Sequence, residues 1–115
     1  MTEGGTLQNE TEPPYYAVIF TSSRSDEGEE EYQAMSAHMM ELAATMPGFL
    51  GVESARQGIG ITISYWRDLE SITAWRRDAG HIEAQRLGRM VWYDQYRLRI
   101  ARVEREYDFA KPRDS

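Results

Sequence analysis

The first patterned stretch is Tyr15-Tyr16-Ala17-Val18-Ile19-Phe20-Thr21-Ser22, entered through Pro13-Pro14. Aromatic and β-branched side chains fit a pleated surface, so this run predicts a strand. Both of its faces are apolar, because Tyr16, Val18 and Phe20 alternate with Tyr15, Ala17 and Ile19. A strand of that kind is covered on two sides. From about Asp26 to Thr45 the period changes to that of a helix, with Tyr32, Met35, Met39, Leu42 and Met46 on one stripe. Ser25 is the expected N-cap, and Asp26, Glu27, Glu29, Glu30 and Glu31 stand where the helix dipole is positive. Pro47-Gly48 ends the run. Methionines on such a stripe can form an adaptable binding surface, but core packing is the favoured reading, with Leu42 buried. His38 falls off the stripe and is expected in solvent.

Period two then returns. Phe49 to Arg56 reads as one strand, Gln57-Gly58 as the turn region and Ile59 to Trp66 as the partner strand. Ile59, Ile61, Ile63 and Tyr65 share a face; Gly60, Thr62, Ser64 and Trp66 share the other, which stays small and polar until Trp66. Asp68 caps a helix carrying Leu69, Ile72 and Trp75, and Gly80 is expected to break it. A further helical stretch runs from His81 to about Met90, with Ile82, Leu87 and Met90 as buried positions. The last strand spans Tyr93 to Tyr107. This order is the split βαβ arrangement, an α+β ferredoxin-like βαββαβ fold with a four-stranded antiparallel sheet. Two helices cover one face of such a sheet, yet the first strand is apolar on both. A twin subunit packed sheet to sheet supplies the second cover, which predicts a homodimer. Residues 1–14 and 110–115 lack periodicity and read as flexible tails, leaving a single domain over 15–109.

Composition narrows the partners. The 115 residues allow one core rather than two. No apolar run approaches the ~20 residues that span a bilayer, and cysteine is absent, which excludes disulfides and thiolate chemistry. These features predict a cytoplasmic protein with no membrane association. The net charge of −6 is unevenly spread: residues 1–50 hold nine acids and one base (Arg24), whereas residues 51–115 hold ten acids and twelve bases. A net-acidic chain without a basic block is a poor nucleic-acid ligand. An anionic small molecule that meets a few arginines fits better.

Candidate chemistry is sparse. In a helix after Gly80, His81 and Gln85 share a face that Gly88 continues, leaving a space for a flat ligand beside Trp75. The competing reading makes His81 a helix-start histidine bonded to backbone, with Trp75 as core. No metal-binding spacing, phosphate loop or serine elbow occurs.

Met46-Pro47-Gly48-Phe49-Leu50-Gly51-Val52, followed by Ile63-Ser64-Tyr65-Trp66 and Leu69-Glu70-Ser71-Ile72-Thr73-Ala74-Trp75, resembles the antibiotic biosynthesis monooxygenase superfamily. The resemblance runs from about Tyr15 to Tyr107 and implies a dimeric α+β barrel. Members oxidise quinols or polyketides without metal or flavin, or degrade haem. Trp75 matches the tryptophan of the haem degraders. Gln85 stands where their ligand histidine would be, with His81 one turn earlier, and Thr21 falls near their first-strand asparagine. The resemblance therefore implies a monooxygenase acting on a small aromatic, quinol-like substrate or on haem, with no cofactor required and haem as substrate or ligand. In that role His81 is the base, Trp75 and Trp66 are walls, Gln85 and Thr21 contact substrate, and Arg97 or Arg99 stabilises negative charge. The alternative is a non-enzymatic dimeric domain that binds a hydrophobic or haem-like ligand.

Overall fold

The computed structural model describes residues 12–112. Residues 1–11 and 113–115, parts of the two expected tails, lie outside the described residues. The elements are β1 (Tyr15–Arg24), α1 (Glu29–Ala44), β2 (Phe49–Gln57), β3 (Ile59–Trp66), α2 (Leu69–Arg77), α3 (Ala79–Leu87), a π-helical segment (Gly88–Trp92) and β4 (Tyr93–Val103). The strands form one antiparallel sheet in the order β2-β3-β1-β4, so the fold is the expected α+β ferredoxin-like one.

Local chemistry sets several boundaries differently from the sequence pattern. Helix α1 starts at Glu29 behind Gly28, and Ser25, which donates its hydroxyl to the Val91 carbonyl at 2.5 Å and accepts from the Glu27 N–H at 3.3 Å, lies outside the helix and is not its N-cap. The break after α2 comes from Asp78 rather than Gly80. Its carboxylate accepts from the backbone N–H of Gly80 at 2.9 Å and of His81 at 3.4 Å, which starts α3 at Ala79, ahead of the expected His81. Asp68 caps α2 as expected, accepting from the Ser71 N–H at 2.7 Å. Strand β4 ends at Val103, and the chain from Glu104 to Pro112 runs on outside the sheet.

The Pro47-Gly48-Phe49 turn has a steric basis. Gly48 sits at φ 85°, and a Cβ there would fall 2.0 Å from the Ser71 hydroxyl. Its carbonyl accepts from the Arg67 N–H at 2.8 Å, so the end of α1 is pinned to the start of α2.

Strand pairing assigns the faces. Val18 lies opposite Ser64 and Ile100, and Phe20 opposite Thr62 and Leu98, so these side chains share the helix side of the sheet. The core gathers there around Ala43, Trp66, Ile72 and Trp75, with Met39, Leu42, Met46 and Phe49 packed against it. Leu42 is only half-buried, and Ile82 and Met90, expected inside, are 51% and 69% exposed. Among the described residues, no helix lies on the other face of the sheet. Ile59 and Ile61 are 60% and 43% exposed on it. Among the described residues, no helix is long and apolar enough to cross a membrane.

Ile72 is 2% exposed at the centre of the cluster, so Ile72→Ala should destabilise by about 2–5 kcal/mol in chemical denaturation. Leu42→Ala, at a partly exposed position, should cost less than Ile72→Ala in the same measurement.

Candidate functional site

Between the helix layer and the sheet lies a cavity of about 180 Å³. Its floor is the small, polar face of β3, Thr62 and Ser64, with Val52 of β2 and Phe20 of β1 beside it. Tyr32, Met35, Ser36, Met39 and Met40 of α1 form one wall, and Trp75 and Ala84 another. Phe49 and Trp66 close one end; Trp92 and Tyr93 contribute rings near the other. The methionine stripe thus divides its work. Met39 and Met46 pack on the core, while Met35, Met39 and Met40 border the cavity.

The closed end is a stack. Trp66 is wholly buried and donates its indole N–H to the Ser64 hydroxyl at 2.9 Å. Phe49 meets it edge-on at 5.3 Å, and Trp75 stacks on it at 6.0 Å and 27°. His81 stacks on Trp75 at 4.4 Å and 19°. The His81 Nδ1 lies 3.1 Å from the Trp75 carbonyl oxygen. A carbonyl only accepts, so Nδ1 carries the hydrogen and Nε2 the lone pair. Burial holds the imidazole below its ordinary pKa of 6.5, and the Arg76 charge adds to that, against the opposing pull of the Trp75 hydrogen bond and Asp78. His81 is therefore neutral at neutral pH.

The structure brings only part of the sequence-derived set together. Trp66 and Trp75 line the cavity. His81 lies behind Trp75 and is not among the lining residues. Gln85 borders a neighbouring hollow with Gly88, Arg76, Phe20, Tyr96 and Leu98. Gly88 thus shares a hollow with Gln85 as expected, but the Tyr93 ring, 2.9 Å from where a Gly88 Cβ would stand, borders it, and His81 and Trp75 do not. Thr21, Arg97 and Arg99 are on the opposite face: Thr21 pairs with Arg97 and Ile19 with Arg99, and all three candidates border a hollow on the helix-free side. Arginines do reach the helix side, but they are Arg24 and Arg56, which the sequence pattern does not single out. Arg24 lies over the Tyr32 ring at 3.6 Å, and Arg56 donates to the Ser22 hydroxyl at 2.8 Å.

The geometry gives haem no support. No imidazole lines the cavity, and apolar cavities of roughly 150 Å³ take up a single benzene ring. Among the described lining residues there is also no carboxylate, so nothing there serves as an ionised base. Tyr93 does not, because burial, followed by its hydrogen bond with Tyr32, raises its pKa above the usual tyrosine value. The site can hold a flat apolar molecule between the helix layer and the sheet and offer it hydroxyl contacts.

A family model for antibiotic biosynthesis monooxygenases matches residues 15–87. The chain is 48% identical over 102 residues to the uncharacterized protein YqjZ of Bacillus subtilis (strain 168), covering 87% of this chain and 89% of YqjZ. It is 29% identical over 92 residues to the jasmonate monooxygenase ABM of Pyricularia oryzae, covering 76% of this chain but 43% of that protein. Among solved structures, SnoaB, a cofactor-independent oxygenase from Streptomyces nogalater, superposes with a TM-score of 0.69 at 12% identity, over 82% of this chain and 97% of SnoaB. That likeness, at so low an identity, concerns the fold. The family match, running from the first strand through α3, establishes that this chain belongs to the antibiotic biosynthesis monooxygenase family.

Proposed function

We propose that the protein is a cofactor-free monooxygenase for a small, electron-rich aromatic substrate bound in the cavity between α1 and the sheet. The observation that carries this reading is the cavity's lining: aromatic rings around a floor of small hydroxyl side chains. An acidic aromatic alcohol, in equilibrium with a keto tautomer that carries a ring CH₂, supplies its own electrons. Once it loses a proton, the carbanion-like tautomer reacts with O₂, a ring CH₂ becomes C=O, and the second oxygen atom leaves as water. This balance needs no external reductant. The protein's part is to hold the ring, exclude water and stabilise the anion. The names of two similar proteins, a jasmonate monooxygenase and a cofactor-independent oxygenase, support an oxygenase reading in general.

In this reading His81 acts through Trp75. Its ring braces the indole from behind, and its Nδ1–H ties it to the Trp75 carbonyl. Trp75 in turn forms the cavity wall.

The active unit is proposed to be a homodimer. Ile59, Ile61, Tyr107 and Phe109 are exposed on or just beyond the helix-free part of the molecule, and the first two lie on the uncovered sheet face. A second copy, open face to open face, would remove this apolar surface from water.

Four outcomes are expected. Oxygen-electrode assays with an anthrone or quinol, without added metal or flavin, should show one O₂ consumed per substrate. Thr62→Phe, which fills the floor, should lower that rate by about 10²-fold, the scale of a misplaced substrate. Binding without oxygen uptake would instead favour a non-catalytic ligand carrier. Sedimentation at micromolar concentration should give twice the chain mass, and a monomer alone would refute the dimer. The pH dependence follows from His81. Its folded pKa lies below the unfolded value, so the unfolded chain takes up more protons and stability falls as pH drops below about 6.5. His81→Asn should flatten that part of a thermal-melting profile, leaving the profile above it unchanged.

A further inference from the structure

The sheet register places two arginines beyond the open end of the cavity. Thr62 and Phe20, paired across β3 and β1, are cavity residues. The next row on the same face is Arg56–Gly60–Ser22. Gly60 has no side chain, and a Cβ there would lie 2.1 Å from the Arg56 guanidinium. The missing side chain lets Arg56 lie across β3 and donate to Ser22, which is 3% exposed. Arg24 follows at the end of β1. There the β1–β4 pairing shifts, so that Arg24 lies opposite Tyr93 rather than Asp94.

Arg24 is held on several sides. Its Nε donates to the Trp92 carbonyl at 3.0 Å, its Nη1 meets the Glu29 carboxylate at 3.2 Å, and its plane lies on Tyr32. The side chain is 10% exposed. Its remaining nitrogen, Nη2, is sealed from solvent and has no hydrogen-bond acceptor among the described residues. A buried guanidinium corner without an acceptor is costly, and an anion supplies what it lacks. Among the described residues Glu29 is the acid paired with Arg24, and it is 61% exposed, so this one carboxylate faces two guanidinium groups. Tyr32 and Trp92, which touch Arg24, are themselves cavity residues.

We propose that Arg24 and Arg56 form an oxyanion subsite at the end of the cavity, holding the ionised oxygen of an acidic aromatic alcohol whose ring lies over Thr62 and Ser64. The proposal rests on the reading of the cavity as a substrate site. Arg56, on the exposed edge strand, supplies the direct contact, and Arg24 the fixed charge and a spare donor. Retaining the ligand as its anion explains how a cavity without an ionised base can work: the hydroxyl proton leaves to bulk water, and the arginines hold the oxygen that lost it.

The test is a titration of 4-nitrophenol near its own pKa with the intact protein, read by phenolate absorbance and by quenching of tryptophan fluorescence. Binding should raise the phenolate absorbance, with the apparent pKa of the bound phenol lowered by about one unit, a roughly tenfold preference for the anion. Arg56→Gln and Arg24→Gln should each lose most of that shift, and Arg67→Gln, at the Trp66 end, should keep it. Arg56→Gln changes an exposed side chain, so it remains informative if Arg24→Gln fails to fold. Quenching with unchanged or reduced phenolate absorbance would overturn the subsite while leaving the aromatic cavity standing. A shift that survives in the folded arginine variants would also overturn it. Neither quenching nor a colour change would overturn both.

Discussion

The stack of Trp66, Trp75 and His81 is the contact on which the rest of the arrangement depends. Trp66 projects from the last position of β3 and Trp75 from the last turn of α2, so their overlap fixes how far the helix layer stands off the sheet. Large rings at that end act as a spacer. Farther along the same face of β3, Ser64, Thr62 and Gly60 are too small to fill the gap the spacer opens. A cavity follows from that difference in side-chain size. Each aromatic pair adds about 0.5–1.5 kcal/mol beyond the area it buries, and the fixed end can therefore support an unfilled region next to it.

The cavity has chemically different ends. At the Trp66 end the polar groups are internally satisfied: the indole bonds to Ser64, and His81 bonds to the Trp75 backbone. At the other end Arg24 keeps a donor without an acceptor among the described residues, and the Arg56 guanidinium lies on an exposed strand. One end sets position and the other sets charge. That division suits a reaction in which the substrate brings the electrons and the protein supplies a dry, electrostatically biased enclosure.

The opposite face of the sheet follows separate rules. Arg97 and Arg99 project there with Thr21, beside the isoleucine row of β3. Tyr65 donates to Glu53 at 2.7 Å, and burial followed by that partner holds its pKa above the ordinary tyrosine value. Tyr15 stands edge-on to Tyr65 and donates to Glu106. These contacts show a face with its own polar ties around an apolar centre, separate from the cavity.

Short-range patterning carried the element order, the antiparallel hairpin, the Asp68 cap and the small face of β3, because alternation and capping are local properties of the chain. The side of the sheet that each arginine faces was beyond its reach. β1 is apolar on both faces, so alternation alone cannot tell which face meets the helices, and Arg97 and Arg99 shift to the other side with that choice. Pairing with β3 decided it. The irregular step opposite Arg24 sends Tyr93 to the cavity in place of Asp94, and such a step depends on two strands meeting. His81 behind Trp75, Arg56 across Gly60 and the unfilled corner of Arg24 likewise exist only after distant segments pack, because each is a relation between elements and not a property of any one of them.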